Sequence, residues 1–407
     1  MKILLVVPDY LPFNQQSFHS GGRTVYKAIA EKLAERGHNI TIVAGYPYKK
    51  LKKEVVYTSN SGGKINLISL PIMRILPDRY PKFQSYLPPT LKSLQYLRSL
   101  NYDDYEVIHL LAFGHLLTDL INLIIKSKEK KILTIHGFPK YVEKEGQANY
   151  LTKVFFKIYL KTLGNHTLNS ASIITVVTPF VANDSISKGV DPSKIKIILN
   201  GIDLKKYNPM LYHDELEEKY GITKEDVLLL SIGRIVWIKG FEYAIDSIPK
   251  VMRTIKRSIK YMIIGSIEDQ IYFTDLKQKI KRLGLEKNII FTGIVDENTK
   301  LSALSRADIF LAPSIHETFG IMSLEAMAMD KPIVASNVEG MANILDNMNT
   351  AILFTPARSE EISDAITKLL FDPQLAKKLS NNARCEVKKY DWDNIIDSYE
   401  EMYRLKS

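Results

Sequence analysis

Short, almost wholly apolar runs rich in Ile and Val recur along this 407-residue chain, each followed by a stretch with helical spacing, and that alternation restricts the fold more than any other feature. A strand that is apolar at every position has to be covered on both faces, as happens in a parallel sheet clothed by helices. In the first half the runs are Ile3–Val7, Ile40–Ala44, Val107–Leu111, Ile132–His136, Ile173–Val177 and Ile195–Leu199. In the second they are Val227–Ile232, Tyr261–Ile264, Ile289–Thr292, Ile309–Ala312 and Ile333–Ala335. The chain is longer than one hydrophobic core usually organises. The expectation is therefore an α/β protein of two doubly wound parallel-sheet domains, divided near Asn200-Gly201, where turn residues precede a polar stretch.

Several classes are disfavoured by the same residues. Ile3–Val7 is too short for the apolar core of a secretory signal. The longest apolar stretch, Val107 to Ile125, contains His109, His115, Asp119 and Asn122, and one central Asp costs about 2.5–3.5 kcal/mol in a membrane helix. It reads instead as a strand followed by an amphipathic helix, with Leu116/Leu117, Leu120/Ile121 and Ile124/Ile125 on one stripe. The single Cys385 excludes an intramolecular disulfide and suits a reducing compartment, so the expected location is cytoplasmic. Segment 71–90, with five prolines, is expected to be irregular.

The net charge of +10 is unevenly held: residues 1–200 carry 27 Lys/Arg against 14 Asp/Glu (+13), and the remainder carries 28 against 31 (−3). Scattered lysines for solubility are one explanation. An anionic partner, a membrane surface or a lipid-phosphate acceptor, is the other. Nucleic acid is the weakest candidate, because no recognition motif accompanies the charge. Leu151–Leu163 sets Lys153, Lys157 and Lys161 opposite an apolar side, which fits core packing or docking on anionic lipid at the inner membrane face.

Ligands of open parallel sheets bind beyond the carboxyl ends of the strands. Two segments stand there. Pro313 to Met329 follows the run Ile309–Ala312, carries Glu317 and Glu325, and opens a helix near Gly320 whose free N–H groups form an anion site. Glu317 could equally complement the helix dipole, and Glu325 could be an ordinary exposed helical residue. Gly233-Arg234 and Lys239-Gly240 follow Val227–Ile232 and place two cations five residues apart, enough to neutralise a diphosphate or simply to be solvated. Gly21-Gly22 precedes another helical period, and His136-Gly137 ends Ile132–His136, where a structural His is the usual case. Asp391-Trp-Asp393 sits where Asp caps a helix. No cluster has metal-ligand spacing, so no metal and no cofactor are expected.

Taken together, Gly-Arg with Lys239-Gly240, Glu-x7-Glu at 317 and 325 with Phe319-Gly320, Gly21-Gly22 and His136-Gly137 resemble family 4 glycosyltransferases over nearly the whole chain. The resemblance implies the GT-B fold, two Rossmann-like domains facing across a cleft: an acceptor-side domain of residues 1–200, joined by a last helix in 391–407, and a donor domain of residues 201–390. It implies a nucleotide diphosphate sugar as donor and a glycan or lipid-linked acceptor, a hexose-type sugar transferred with retention, and no metal. By the same resemblance Arg234 and Lys239 would bind the pyrophosphate beside Gly233, Glu317 the sugar, and Glu325 the ribose. The segment Thr318, Phe319, Gly320 and Ile321 would touch sugar and phosphate through its backbone, and Ile294 and Val295 the base. Gly21 and Gly22 would close over the phosphates, with His136 near the reaction centre. Asn343 replaces a Glu usual in the family, and Ser20-Gly21-Gly22-Arg23 replaces the Lys-Thr-Gly-Gly loop of bacterial glycogen synthases. A nucleotide-sugar epimerase, a phosphorylase of this fold and a non-catalytic sugar-binding paralogue are the alternatives. A dehydrogenase is opposed by Pro8-Asp9-Tyr10, where a Gly-x-Gly-x-x-Gly turn should begin.

Overall fold

The computed structural model describes residues 1–8, 21–47, 50–72, 89–126, 131–138, 154, 157–211 and 216–405. These divide into two compact units, one running to Leu199 and regaining the chain at Trp392, the other spanning Asn200–Asp391 and also taking in Gly21.

The first unit is built on an eight-stranded sheet. Its strands are β1 (Lys2–Val7), β2 (Asn39–Pro47), β3 (Lys52–Thr58), β4 (Lys64–Ile72), β5 (Val107–Leu110), β6 (Lys131–Ile135), β7 (Ile173–Val176) and β8 (Ile195–Ile197). Their order is β3-β4-β2-β1-β5-β6-β7-β8, parallel throughout except for the β3–β4 hairpin. The apolar runs form the strands β1, β2 and β5 to β8, buried except for the edge strand β8, whose Ile197 is exposed, while β3 and β4 were not anticipated. The edge strand β3 is charged and largely exposed, so it lacks the all-apolar signature. Strand β4 runs through Pro71, inside the segment expected to be irregular. Beyond Ser69 the hairpin partner no longer pairs with β4, so the missing proline N–H leaves no acceptor unmatched on that side. Pro71 O instead accepts from Thr90 N at 3.1 Å and Ser93 Oγ at 2.7 Å, fixing the start of the helix Leu91–Ser99. Residues 73–88 lie outside the described residues.

Two helices depart from the amphipathic expectation. In the helix Leu116–Ile124 the polar residues Asp119 and Asn122 are buried rather than solvated. Asn122 Nδ2 donates to Ser170 Oγ at 2.8 Å and Asp119 accepts from the Tyr159 hydroxyl, so tertiary partners replace water. Within 151–163, only Val154 and the residues from Lys157 onward are described. There a π-helical turn, Leu160–Gly164, shifts the face by a residue, leaving Ile158 exposed and Tyr159 buried.

The last helix, Trp392–Arg404, belongs to the first unit. Asp391 immediately precedes it, and Asp393 in its first turn pairs with Lys32 at 3.1 Å. Glu400 accepts from Arg36 at 3.1 Å and meets His38 Nε2 at 2.7 Å. Deeper in, His109 Nδ1 meets the Tyr403 hydroxyl and Nε2 the Thr134 hydroxyl, both at 2.7 Å.

The second unit has a six-stranded, all-parallel sheet: β9 (Val227–Ile232), β10 (Ile259–Ile264), β11 (Ile289–Gly293), β12 (Ile309–Ala312), β13 (Ile333–Ser336) and β14 (Ile352–Phe354), ordered β11-β10-β9-β12-β13-β14. Strand β14, three residues long, is too short to read from periodicity. One face is covered by the helix Phe241–Thr254, whose Phe241, Ala244, Ile245, Ile248 and Val251 are buried at helical spacing, and by Ile362, Ala365, Ile366 and Leu369 of the helix Ser359–Phe371. Burial of each large apolar side chain there stabilises by about 1.5–3 kcal/mol. No helix among the described residues is long and apolar enough to cross a membrane.

Buried titratable groups in the first unit set opposing pH terms. Burial, with His136 nearby, lowers the His109 pKa to about 3, and burial lowers that of His136 to about 4. Burial raises the Asp119 pKa to about 7, against its hydrogen bonds from Tyr159 and Thr167. From pH 6.5 down to about 4 the unfolded chain binds a proton at each His that the native chain does not, so stability is lost on acidification. Asp119 acts in the opposite sense, since the native state holds a proton that the unfolded state releases above about 4. In Asp119→Asn this opposition is gone. Urea unfolding at pH 5 and pH 6 should then show a loss on acidification about 1.4 kcal/mol larger than in the wild type, one proton's worth. Identical pH dependence of the two proteins would refute the assignment.

Candidate functional site

The strand order of the second unit reverses between β9 and β12, so the chain leaves their carboxyl ends in opposite directions and opens a crevice there. Gly233-Arg234 leaves β9, and Pro313 to Glu317 leaves β12. Gly240, at φ +62°, lies so close to Pro313 that a Cβ would stand 2.2 Å from its carbonyl oxygen, which presses the Lys239 loop onto the Glu317 loop. Behind Glu317, a Cβ on Gly340 would lie 2.2 Å from the Glu317 carbonyl. This close approach falls in the Glu339-Gly340 segment, just ahead of Asn343. Asn343, at the residue that replaces the usual Glu, is exposed and donates from Nδ2 to Glu339 O.

The result is a half-buried ion pair, Lys239 Nζ to Glu317 Oε2 at 2.6 Å. Thr318 N donates to Glu317 Oε1 at 3.1 Å. Burial alone would raise the Glu317 pKa, but the Lys239 ammonium and these hydrogen bonds outweigh it and hold the carboxyl below its usual range. Arg234 is more exposed and pairs through Nη1 with Glu268 Oε2 at 2.8 Å. Glu268 follows β10 and no motif announced it.

The helix Ile321–Ala328 starts beside this pair, with Gly320 as its N-cap and no side-chain cap. Ser323 N turns back to Gly320 O at 2.9 Å, and the N–H groups before it have no intrahelical acceptor. The Phe319 side chain is not part of this opening: it is buried, with its ring 6.3 Å from that of Tyr390. Ile294 is exposed and Val295 buried, both following β11.

Glu325 sits lower on the helix, only 2% exposed, where sequence alone also allowed a solvated residue. Its Oε1 accepts from the Tyr207 hydroxyl at 2.6 Å and from Lys300 Nζ at 3.2 Å. Lys300, also 2% exposed, is held on its other side by Glu297 at 2.9 Å, and Glu297 in turn by Lys206 at 2.7 Å. Burial would lower the Lys300 pKa, but the carboxylates of Glu325 and Glu297 outweigh it and raise it, so the ammonium persists. Burial, Glu325 and Glu297 drive the Tyr207 phenol far upward, which keeps it a donor. Tyr207, Glu297 and Lys300 belong to no motif, and a Lys in the helical stretch Glu297–Arg306 reads as surface until its burial is seen.

Arg234, Lys239, Glu317, Gly320 and Glu325 are thus gathered in the second unit. Gly21 and Gly22 are the opening residues of the helix Gly21–Glu35 and lie within it rather than before it, Gly22 grouped with the first unit and Gly21 with the second. The Tyr26 ring of that helix is 5.6 Å from the His136 ring. His136 lies one residue past β6, which ends at Ile135, and its Nε2 is 3.1 Å from Leu111 O. A carbonyl can only accept, so Nε2 carries the proton, and the neutral ring leaves Nδ1 an acceptor. No group of three or more His, Cys, Asp or Glu side chains among the described residues is placed to hold a metal.

Known proteins match the chain along the same division. A model described as glycosyl transferases group 1 matches residues 213–386, and the Glycosyltransferase Family 4 model matches residues 19–206. An uncharacterized glycosyltransferase of Methanocaldococcus jannaschii is 26% identical, with 100% of this chain and 98% of that protein aligned. N-acetyl-alpha-D-glucosaminyl L-malate synthase of Bacillus anthracis is 24% identical, with 94% and 93% aligned. Among solved structures, Anabaena Alr3699/HepE in complex with UDP and glucose gives a TM-score of 0.72 at 18% identity over 99% of both chains. Sucrose-phosphate synthase of Thermosynechococcus elongatus gives 0.73 at 19% identity over 99% and 98%. Family models matched by both halves, with a relative aligned end to end, establish that the chain belongs to the family 4 glycosyltransferases and has their GT-B fold.

Proposed function

We propose that this glycosyltransferase moves a hexose-type sugar from a nucleoside diphosphate sugar to a glycan or lipid-linked acceptor, with retention and without a metal ion. The observation that carries the reading is the Lys239–Glu317 pair at 2.6 Å beside the uncapped start of the helix Ile321–Ala328. An ammonium has three donors, so Lys239 can hold Glu317 and a phosphate oxygen together. Glu317 keeps lone pairs for sugar hydroxyls, since Thr318 N and Lys239 occupy one direction at each oxygen. Arg234 presents the rest of its guanidinium fork after Glu268 has taken Nη1. Complexes of the same fold with UDP and with UDP-glucose support this class of donor.

In this reading, charge growing on the departing diphosphate is met by Arg234, Lys239 and the helix N–H groups of Gly320 and Ile321, with Gly233 beneath and Gly21 and Gly22 serving the same phosphates. Glu325 takes the ribose, and Ile294 and Val295 the base. His136, neutral, offers Nδ1 to a sugar hydroxyl. The leaving phosphate takes the acceptor's proton as the new bond forms on the face it vacates, so no protein nucleophile is required. Glu317→Gln and Lys239→Ala should each lower kcat/KM about 10²–10³-fold, the usual cost of one such electrostatic contact, with circular dichroism unchanged. Wild-type turnover by both variants would refute the site, and isomerised donor formed without any acceptor would indicate an epimerase. EDTA should leave turnover within about twofold of the control for want of a metal's contribution to charge stabilisation, and abolished turnover would overturn the metal-free reading.

The +13 charge of residues 1–200 supports an anionic or lipid-linked acceptor and attachment at the inner membrane face. Co-sedimentation with vesicles should increase when phosphatidylglycerol replaces phosphatidylcholine and decline with salt. Indifference to lipid charge would remove this part of the proposal.

A further inference from the structure

With Glu325 as the ribose ligand, the reading on which this proposal rests, it matters which of its two oxygens faces the nucleotide. The carboxylate stands at the end of a directed chain of donors. Lys300 Nζ donates to the Tyr207 hydroxyl at 2.7 Å, and that hydroxyl donates to Glu325 Oε1 at 2.6 Å. Lys300 also reaches Oε1 at 3.2 Å. Oε1 is thereby doubly occupied. Oε2 differs: it is buried, lies 3.1 Å from the Lys300 ammonium, and makes no directional hydrogen bond among the described residues.

A buried carboxylate oxygen without a donor carries a desolvation cost that a ligand hydroxyl would relieve. A carboxylate turning freely about its last torsion would offer either oxygen to a ligand. Here the Tyr207 hydroxyl on Oε1, with the Lys300 ammonium 3.2 Å from Oε1 and 3.1 Å from Oε2, removes that freedom. Lys300 is itself fixed from behind by Glu297, and Glu297 by Lys206 at the half-exposed rim, so the chain alternates in charge from the rim inward. We propose that Tyr207 and Lys300 are positioning residues that hold Glu325 with Oε2 presented to the ribose diol of the nucleotide, and that they thereby make the donor site discriminate against nucleotides lacking those hydroxyls. A site built around an acceptor rejects a ligand without the matching donor, because the buried oxygen is then left unpaired.

Tyr207→Phe removes one hydroxyl and keeps the ring and both charges, whereas removing Lys300 strands the buried Glu325 carboxylate and takes one of its two cations from the partly exposed Glu297. Tyr207→Phe is therefore the principal test, with Lys300→Met as a second variant. The full chain is titrated calorimetrically with UDP, GDP and ADP and with the 2′,3′-dideoxy form of each. The wild type should bind at least one diphosphate about tenfold tighter than its dideoxy form, the scale of a hydrogen bond to a charged group. In Tyr207→Phe that ratio should narrow to about threefold or less through weaker binding of the ribose form alone, the scale of losing one positioning contact. An unchanged ratio in the folded variant, or equal weakening of both forms, overturns the positioning role. A wild type that ignores the ribose hydroxyls, or binds none of the three diphosphates, overturns the inference at its root, the ribose reading of Glu325 or the donor site itself.

Discussion

Parallel strands cannot be joined by tight turns, so every connection in the second unit is a crossover, and in the order β11-β10-β9-β12-β13-β14 the crossovers leaving β9 and β12 run outward in opposite directions, with one return crossover from β11 to β12. Between those strands no crossover covers the carboxyl edge. Everything proposed for the donor site hangs on that gap. The Arg234–Lys239 loop comes from β9 and the Glu317 loop from β12, strands separated by nearly 80 residues but paired through Ile309↔Leu229 and Phe310↔Leu230. The helix Ile321–Ala328 must then begin at the same edge. Cations, carboxylate and helix dipole converge because the sheet topology brings their connecting loops to one edge.

That dependence explains which parts were legible in the sequence. The central strands are apolar at almost every position because both faces are covered, and their period survives in the sequence. The edges do not obey that rule. Strand β3 mixes Lys52, Lys53 and Glu54 with Val55 because one side of it meets solvent, and β14 has only Ile352, Leu353 and Phe354. The buried polar residues misled in the other direction. Asp119 and Asn122 had the pattern of a solvated helix face, and only the Thr167–Ser170 segment packed against them turns that face inward.

At the site itself, residues carried by motifs could be named in advance, and their supporting residues could not. Glu268 reaches Arg234 from the end of β10, and Tyr207 and Lys300 reach Glu325 from two further segments, at separations from 25 to 118 residues. No local spacing encodes such pairs. Composition gives no hint either, because a lysine or glutamate is presumed exposed unless something offsets its desolvation. The close approach of Gly340 to the Glu317 carbonyl is similarly silent until the backbones are seen together.

Two buried polar networks, one in each unit, work in different ways, and the difference bears on what each network does. In the first, His109 stays neutral between the hydroxyls of Tyr403 and Thr134, a network without net charge that ties the last helix to the sheet. In the second, Lys300 stays charged between Glu297 and Glu325. A neutral network offers a ligand little electrostatic attraction and serves packing. A buried ion network is a weak means of stabilising a fold, since desolvation offsets much of the attraction, but it holds a carboxylate in one orientation at low local dielectric. An orientation fixed in advance spares a ligand the cost of ordering the site on arrival.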